Sequence, residues 1–235
     1  MSQLNKKILI SGCGLSWGGQ ERKTWVNVFK ASGLKLTDVG GPAVSNQWIL
    51  NKTFLELHNN HAYDKVIIQL TSIKKLDVEI NEERYQELVI PDKIRNFTYK
   101  DIWPSSASVD HVSKQLWEKY LYSPTLEIED IYCKLLMLKE FCNSKNIELF
   151  VFQGYQIPWD DNQKNNLSSI ISDIDDWLYR EYPISEHFKF HDHTNSVPCL
   201  SYQFVLAKKI SKICKLNIEN KINKMLELST NVVVS

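Results

Sequence analysis

At 235 residues the chain is long enough for one domain with a full core, so neither a disulfide framework nor a structural metal is needed to hold it together. Its 28 basic side chains balance 28 acidic ones, which leaves no global field to draw in a phosphate backbone or an anionic membrane; nucleic-acid and membrane partners are not expected. The cysteines, Cys13, Cys133, Cys142, Cys199 and Cys214, are scattered without a CxxC pair, a usage that suits a reducing, cytoplasmic setting and calls for no metal or other cofactor.

Lys7-Ile8-Leu9-Ile10-Ser11 is a short apolar run ending at glycines, as expected of a central parallel strand buried on both faces. The apolar stretch between Lys7 and Gly12 is too short for a signal sequence, which needs about 7 to 15 apolar residues. Trp25, Val28 and Phe29 recur at helical spacing within 21–32, and Gly33 can close that helix. Leu36 to Val39 reads as a second strand ending in Gly40-Gly41, and 45–58 as a second helix with Ser45 as its N-cap. Lys65 to Thr71, rich in β-branched residues, is the third strand.

From about 74 to 124 the chain carries prolines and aromatics, Trp103 and Trp117 among them, without a clean period; this is expected to be an insertion covering one end of the sheet. A long amphipathic helix over 126–143 follows, then a fourth strand over 147–152 that ends at Gly154. Helices are expected over 167–179 and 200–213, flanking a histidine-rich segment, and a helical tail occupies about 216–235. Strands alternating with helices specify one domain over 1–235, a three-layer α/β/α sandwich on a parallel, flavodoxin-like sheet. Ligands of such sheets bind at the carboxyl ends of the strands. Most of the glycines lie there, in Gly12, Gly14, Gly18, Gly19, Gly40, Gly41 and Gly154.

The loop Gly12-Cys13-Gly14-Leu15-Ser16 after the first strand resembles the first motif block of the SGNH, or GDSL-like, hydrolases, in which Gly-Asp-Ser-Leu-Ser/Thr occupies that place. Gly12, Leu15 and Ser16 match, Cys13 stands for the aspartate, and Gly14 stands for the nucleophilic serine. Asp38-Val39-Gly40-Gly41 resembles the second block, whose glycine donates an N–H to the oxyanion; the resemblance assigns that role to Gly41, with Asn46 as a polar lining residue. The third block's asparagine is replaced by Gln69-Leu70-Thr71, where Gln69 or Thr71 could substitute. The last block, Asp-x-x-His before the final core helix, corresponds to the region holding His187, His191, Asp192 and His193, without the aspartate at its usual spacing. His191 and His193, two apart on an extended segment, would also suit a metal, for which the sequence offers no further ligands.

The resemblance implies an ester hydrolase acting on a small molecule or glycan, such as an O-acylated (acetylated) carbohydrate. Ser16 would be the nucleophile, displaced two residues; His193 or His191 would be the base, Asp192 would orient it, and Gly14 and Gly41 would line the oxyanion site. Gly14 at the usual nucleophile position equally suits a non-catalytic domain that binds a glycan or a protein. A third reading takes Gly12-x-Gly14 as a phosphate loop and Asp38 as a ribose ligand of a nucleotide-binding protein.

Overall fold

Four strands, β1 (Lys7–Ser11), β2 (Lys35–Asp38), β3 (Lys65–Leu70) and β4 (Glu148–Gln153), lie parallel in the order β2-β1-β3-β4. The register pairs Ile8 with Leu36 and Lys65, and Ile67 with Ile10 and Phe150. The computed structural model describes residues 6–13, 24–41, 44–60, 62–71, 73, 123–154, 157–171 and 200–231, the first and last three of the final stretch as backbone only. β1 and β3 are dominated by the apolar runs 8–10 and 66–68 because both their faces are covered; every residue of β3 is buried, Lys65 and Gln69 included. A single parallel bridge from Ile171 to Val151 continues the order beyond β4.

Six helices complete the described residues: α1 (Trp25–Ala31), α2 (Asn46–Asn59), α3 (Pro124–Ser144), α4 (Asp161–Leu167), α5 (Leu200–Ile213) and α6 (Glu219–Asn231). Strand alternation divides the core between them. Leu9, Val66, Ile68, Leu70 and Val151 face α2 and α3, where Ile49, Leu50, Ile131, Leu135 and Leu138 meet them. Ile8, Ile10, Ile67 and Phe152 face the opposite layer, built by Trp25 and Phe29 of α1, Ala207 and Ile210 of α5, and Ile222 of α6. Each such fully buried side chain contributes about 1.5–3 kcal/mol of transfer free energy, which makes the two faces the main source of stability. The three-layer α/β/α expectation holds.

The helix ends follow local chemistry. Ser45 caps α2 by accepting from Trp48 N, 3.1 Å away. Ser123 caps α3 with Pro124 at its first position, so Pro124 belongs to a helix and not to the expected insertion. Gly33 takes φ +85° just after α1, as the sequence suggests, and Lys221 Nζ of α6 donates to Ser32 O at the end of α1, 2.8 Å away. One expectation fails at its start. Helical structure ends at Leu167 instead of beginning there, because Asp160 and Gln163 form a capping box that starts α4 at Asp161, and 168–170 turn so that Ile171 can reach Val151. The segments 74–122 and 172–199 lie outside the described residues.

At the amino edge of the sheet Lys65 is buried, with its ammonium paired to Glu148 and 5.1 Å from the Phe150 ring centroid. Burial pushes the Glu148 carboxyl up, but the hydrogen bonds from Lys65 and Lys6 outweigh it and hold the group below the usual carboxylate range. No helix among the described residues is long and apolar enough to cross a membrane.

Candidate active site

The connections reverse between β1 and β3: β1 leads to a neighbour on one side, β2, and the chain then returns to β3 on the other. In open α/β sheets the crevice outside the carboxyl ends at such a point is the ligand-binding place. Gly12 and Cys13 leave β1 there, and Thr71 leaves β3 there. Of the residues singled out by sequence, Gly41, Asn46, Gln69 and Thr71 are described; Gly14, Ser16, His191, Asp192 and His193 lie outside the described residues, as does His187.

Asn46 is fully buried at the first position of α2. Its Oδ1 accepts from Thr71 N at 2.6 Å and its Nδ2 donates to Thr71 O at 2.8 Å. Leu70 O turns towards β4, where Gly154 N donates to it at 2.7 Å, so the polar groups of Thr71 turn to the β1 side. The register of β1 with β3 ends at Ser11 opposite Ile68, and the Asn46 carboxamide supplies the next rung. Both polar atoms of this side chain are thereby engaged, and Asn46 is a clamp between α2 and β3.

Two further groups are engaged in the same way. The Gly41 N–H donates to Gly12 O at 3.0 Å, so the donor expected to face an oxyanion closes the turn between the first two strand ends instead. Gln69 Oε1 accepts from Trp25 Nε1 at 3.2 Å, which turns this buried carboxamide into the layer of α1 and α5. Thr71 is different. Among the described residues its Oγ1 is buried without a hydrogen-bond partner, as are the indole nitrogens of Trp48 and Trp159. A buried orphan of this kind is uncommon.

Asp38 does not present a free carboxylate for a ribose. Oδ1 accepts from Gly40 N at 3.0 Å and Oδ2 is 3.4 Å from Lys30 Nζ. Cys142 and Cys214 are buried thiols, and desolvation pushes each up to about 12, far from a nucleophilic thiolate.

The structure adds a residue that motif reading passes over. Trp25, fully buried at the first position of α1, donates its backbone N–H to Gln203 Oε1 of α5 at 2.8 Å and its indole N–H to Gln69. Its ring stands edge-on to Phe29 and Phe152, with centroids 5.3 and 5.8 Å apart. The available signal was a glutamine on an apolar stripe: Gln203 shares its helical face with Ala207, Ile210 and Cys214, all buried.

No protein-family model matches the chain, and no curated protein matches it. Several solved structures are similar to it, and two of them are described here. One is the psychrotrophic esterase EstA from Pseudoalteromonas sp. inhibited by monoethylphosphonate, 12% identical, aligned over 90% of this chain and 97% of its own with a TM-score of 0.49. The other is described as a lipolytic protein of the G-D-S-L family from Desulfitobacterium hafniense DCB-2, also 12% identical, aligned over 89% of this chain and 99% of its own with a TM-score of 0.43.

Proposed function

We propose that the protein is an SGNH-like ester hydrolase that removes an O-acyl group, such as acetyl, from a carbohydrate. The observation that carries this reading is the topology. The sheet reverses between β1 and β3, so the segment bearing Gly14 and Ser16, which begins right after Cys13, starts at the crevice where such sheets bind ligands. Thr71, on the neighbouring strand end, adds a hydroxyl with no other partner among the described residues.

In this mechanism Ser16 Oγ attacks the ester carbonyl while His193 or His191 takes its proton, with Asp192 orienting the imidazole. The tetrahedral oxyanion is held by backbone N–H groups of the loop at Gly14, with Thr71 Oγ1 as a side-chain donor in place of Gly41, whose N–H is bonded to Gly12 O, and of Gln69, whose carboxamide oxygen is bonded to Trp25. The imidazolium gives that proton to the sugar oxygen as the ester C–O bond breaks and the alcohol leaves; water then attacks the acyl-enzyme, with the same histidine as base, which releases the carboxylic acid and restores Ser16. Gly14 at the usual nucleophile position supports a second reading, a binding domain without turnover.

Hydrolysis of p-nitrophenyl acetate by the wild type, Ser16→Ala and His193→Ala, with phosphonate labelling located by mass spectrometry, separates the two. The hydrolase reading expects turnover lost in both variants and label on Ser16. A wild type that neither turns over nor takes the label leaves the binding domain.

A further inference from the structure

The layer of α2 and α3 is apolar on both its sides. Among the described residues four large apolar side chains stand out from the surface, and three of them, Leu55, Leu126 and Met137, lie on these two helices. The core does not call for them, since α3 already buries its opposite face against the sheet. Leu126 is 66% exposed and Met137 63%, with exposed Cys133 between them. At 3.6 residues per turn the three fall within about 40° of azimuth and form a stripe about 16 Å long. Asp130 and Lys134 flank the stripe on one side, paired to each other at 2.7 Å.

This stripe is complementary to itself. Turned end for end about a point midway between Ile131 and Tyr132, α3 brings Leu126 to the height of Met137 and Cys133 to that of Asp130. Two copies of α3 laid antiparallel about a two-fold axis at that point would therefore set Leu126 of each against Met137 of the other. The axis keeps like flanks together, so Asp130 of one copy comes within about 1.5 Å in height of Lys134 of the other. The two intrahelical pairs then merge into a quartet of alternating charge. A lipid surface or an unrelated apolar partner would make no use of that charge pattern. We propose that the outer face of α3 docks a second copy of this chain in an antiparallel homodimer, with Leu55, next to the Phe54 that packs on Phe141 of α3, at its margin. One helix stripe buries less than the roughly 800 Å² per partner of a standard interface, so the dimer is a weak one that dissociates at micromolar concentration. It is independent of the proposed chemistry.

Sedimentation equilibrium of the full chain under reducing conditions, from about 5 to about 500 μM, should show a monomer–dimer equilibrium with a Kd on the order of 10–100 μM. Met137→Glu sets a carboxylate against Leu126 of the second copy and should weaken association at least about tenfold. Asp130→Lys and Lys134→Asp should each weaken it about fivefold, while the double variant, whose quartet alternates again, should return to within about threefold of wild type. A second readout fixes the orientation. In a Cys133→Ser background, Leu126→Cys mixed with Met137→Cys should close a disulfide between unlike chains when diamide takes up the two thiol hydrogens, with the bond located by mass spectrometry. Either variant alone should close it far more slowly, because like positions lie about 16 Å apart along the axis. A monomer over the whole concentration range overturns the proposal, as does a dimer indifferent to Met137→Glu and to both charge reversals. Leu126→Cys that crosslinks to itself as fast as to Met137→Cys overturns the antiparallel pairing.

Discussion

The carboxamide of Asn46 and the backbone of Thr71 exchange two hydrogen bonds, at 2.6 and 2.8 Å, in the manner of two peptides in a ladder. Both partners are fully buried, so neither can turn to water when the other is removed. Asn46→Ala should therefore lower stability by about 3 kcal/mol, since it leaves a buried N–H and C=O unpaired. In a domain of this size that is a fall in Tm of roughly 6–12 °C, readable by calorimetry. Asn46→Asp keeps the acceptor but sets a carboxylate against Thr71 O, and should be no more stable than the alanine variant. Wild-type stability in both would remove the clamp.

Thr71→Val makes the opposite prediction one bond away. The Thr71 hydroxyl has no partner among the described residues, so replacing it with a methyl of the same shape should leave Tm unchanged or raise it. If the hydroxyl faces the developing oxyanion, kcat should fall by about a hundredfold, while Thr71→Ser keeps most of the activity. A lower Tm in Thr71→Val, with activity following the folded fraction, would assign the hydroxyl to structure.

The amino edge sets an acid limit. The Glu148 carboxyl has its pKa depressed in the fold, so its contribution to stability is complete above the unfolded value of 4.5 and is lost as pH falls through the lower folded value. Glu148→Gln should melt lower than wild type at pH 7, because buried Lys65 loses its counter-charge, and the gap should close as the pH is taken from 5 to 3. A gap of constant size across that range would mean that the pair does not titrate with folding.

Gly154→Ala places its methyl against the buried Gln69 carboxamide and 2.9 Å from Leu70 O. A cost of about 1–3 kcal/mol is expected from overpacking. Because the clash is with a side chain that bonds Trp25, a double-mutant cycle of Gly154→Ala with Gln69→Ala in chemical denaturation should show coupling of at least about 0.5 kcal/mol. Additive effects would separate Gly154 from the Trp25 network.

The sheet was readable because its strands are short apolar runs bounded by glycines, and because α2, α3 and α5 repeat their apolar residues at helical spacing. Individual donors and acceptors were not readable. Nothing local tells that the Gly41 N–H is spent on Gly12 O, or that Asn46 serves as a rung of the ladder, since each depends on a partner brought close by the crossovers. The break at Leu167 escaped for a related reason: the apolar residues 167, 170 and 171 fit a helical stripe, yet Ile171 belongs to a strand position beside Val151. Motif resemblance named the edge of the sheet on which to look, whereas Trp25 and Gln203 belong to no motif.

The bond between Trp25 and Gln203 also bears on how the chain is made. The layer of α1, α5 and α6 is assembled from the two ends of the sequence, so during synthesis Ile8, Ile10, Ile67 and Phe152 wait on one face of the sheet with only α1 to cover them until α5 has left the ribosome. The opposite face, closed by α2 and α3, can be complete about 60 residues earlier. Nascent chains halted between Ser144 and Leu200 would thus expose a sticky apolar surface, the kind that chaperones hold, and the final contact would carry a high contact order that slows folding.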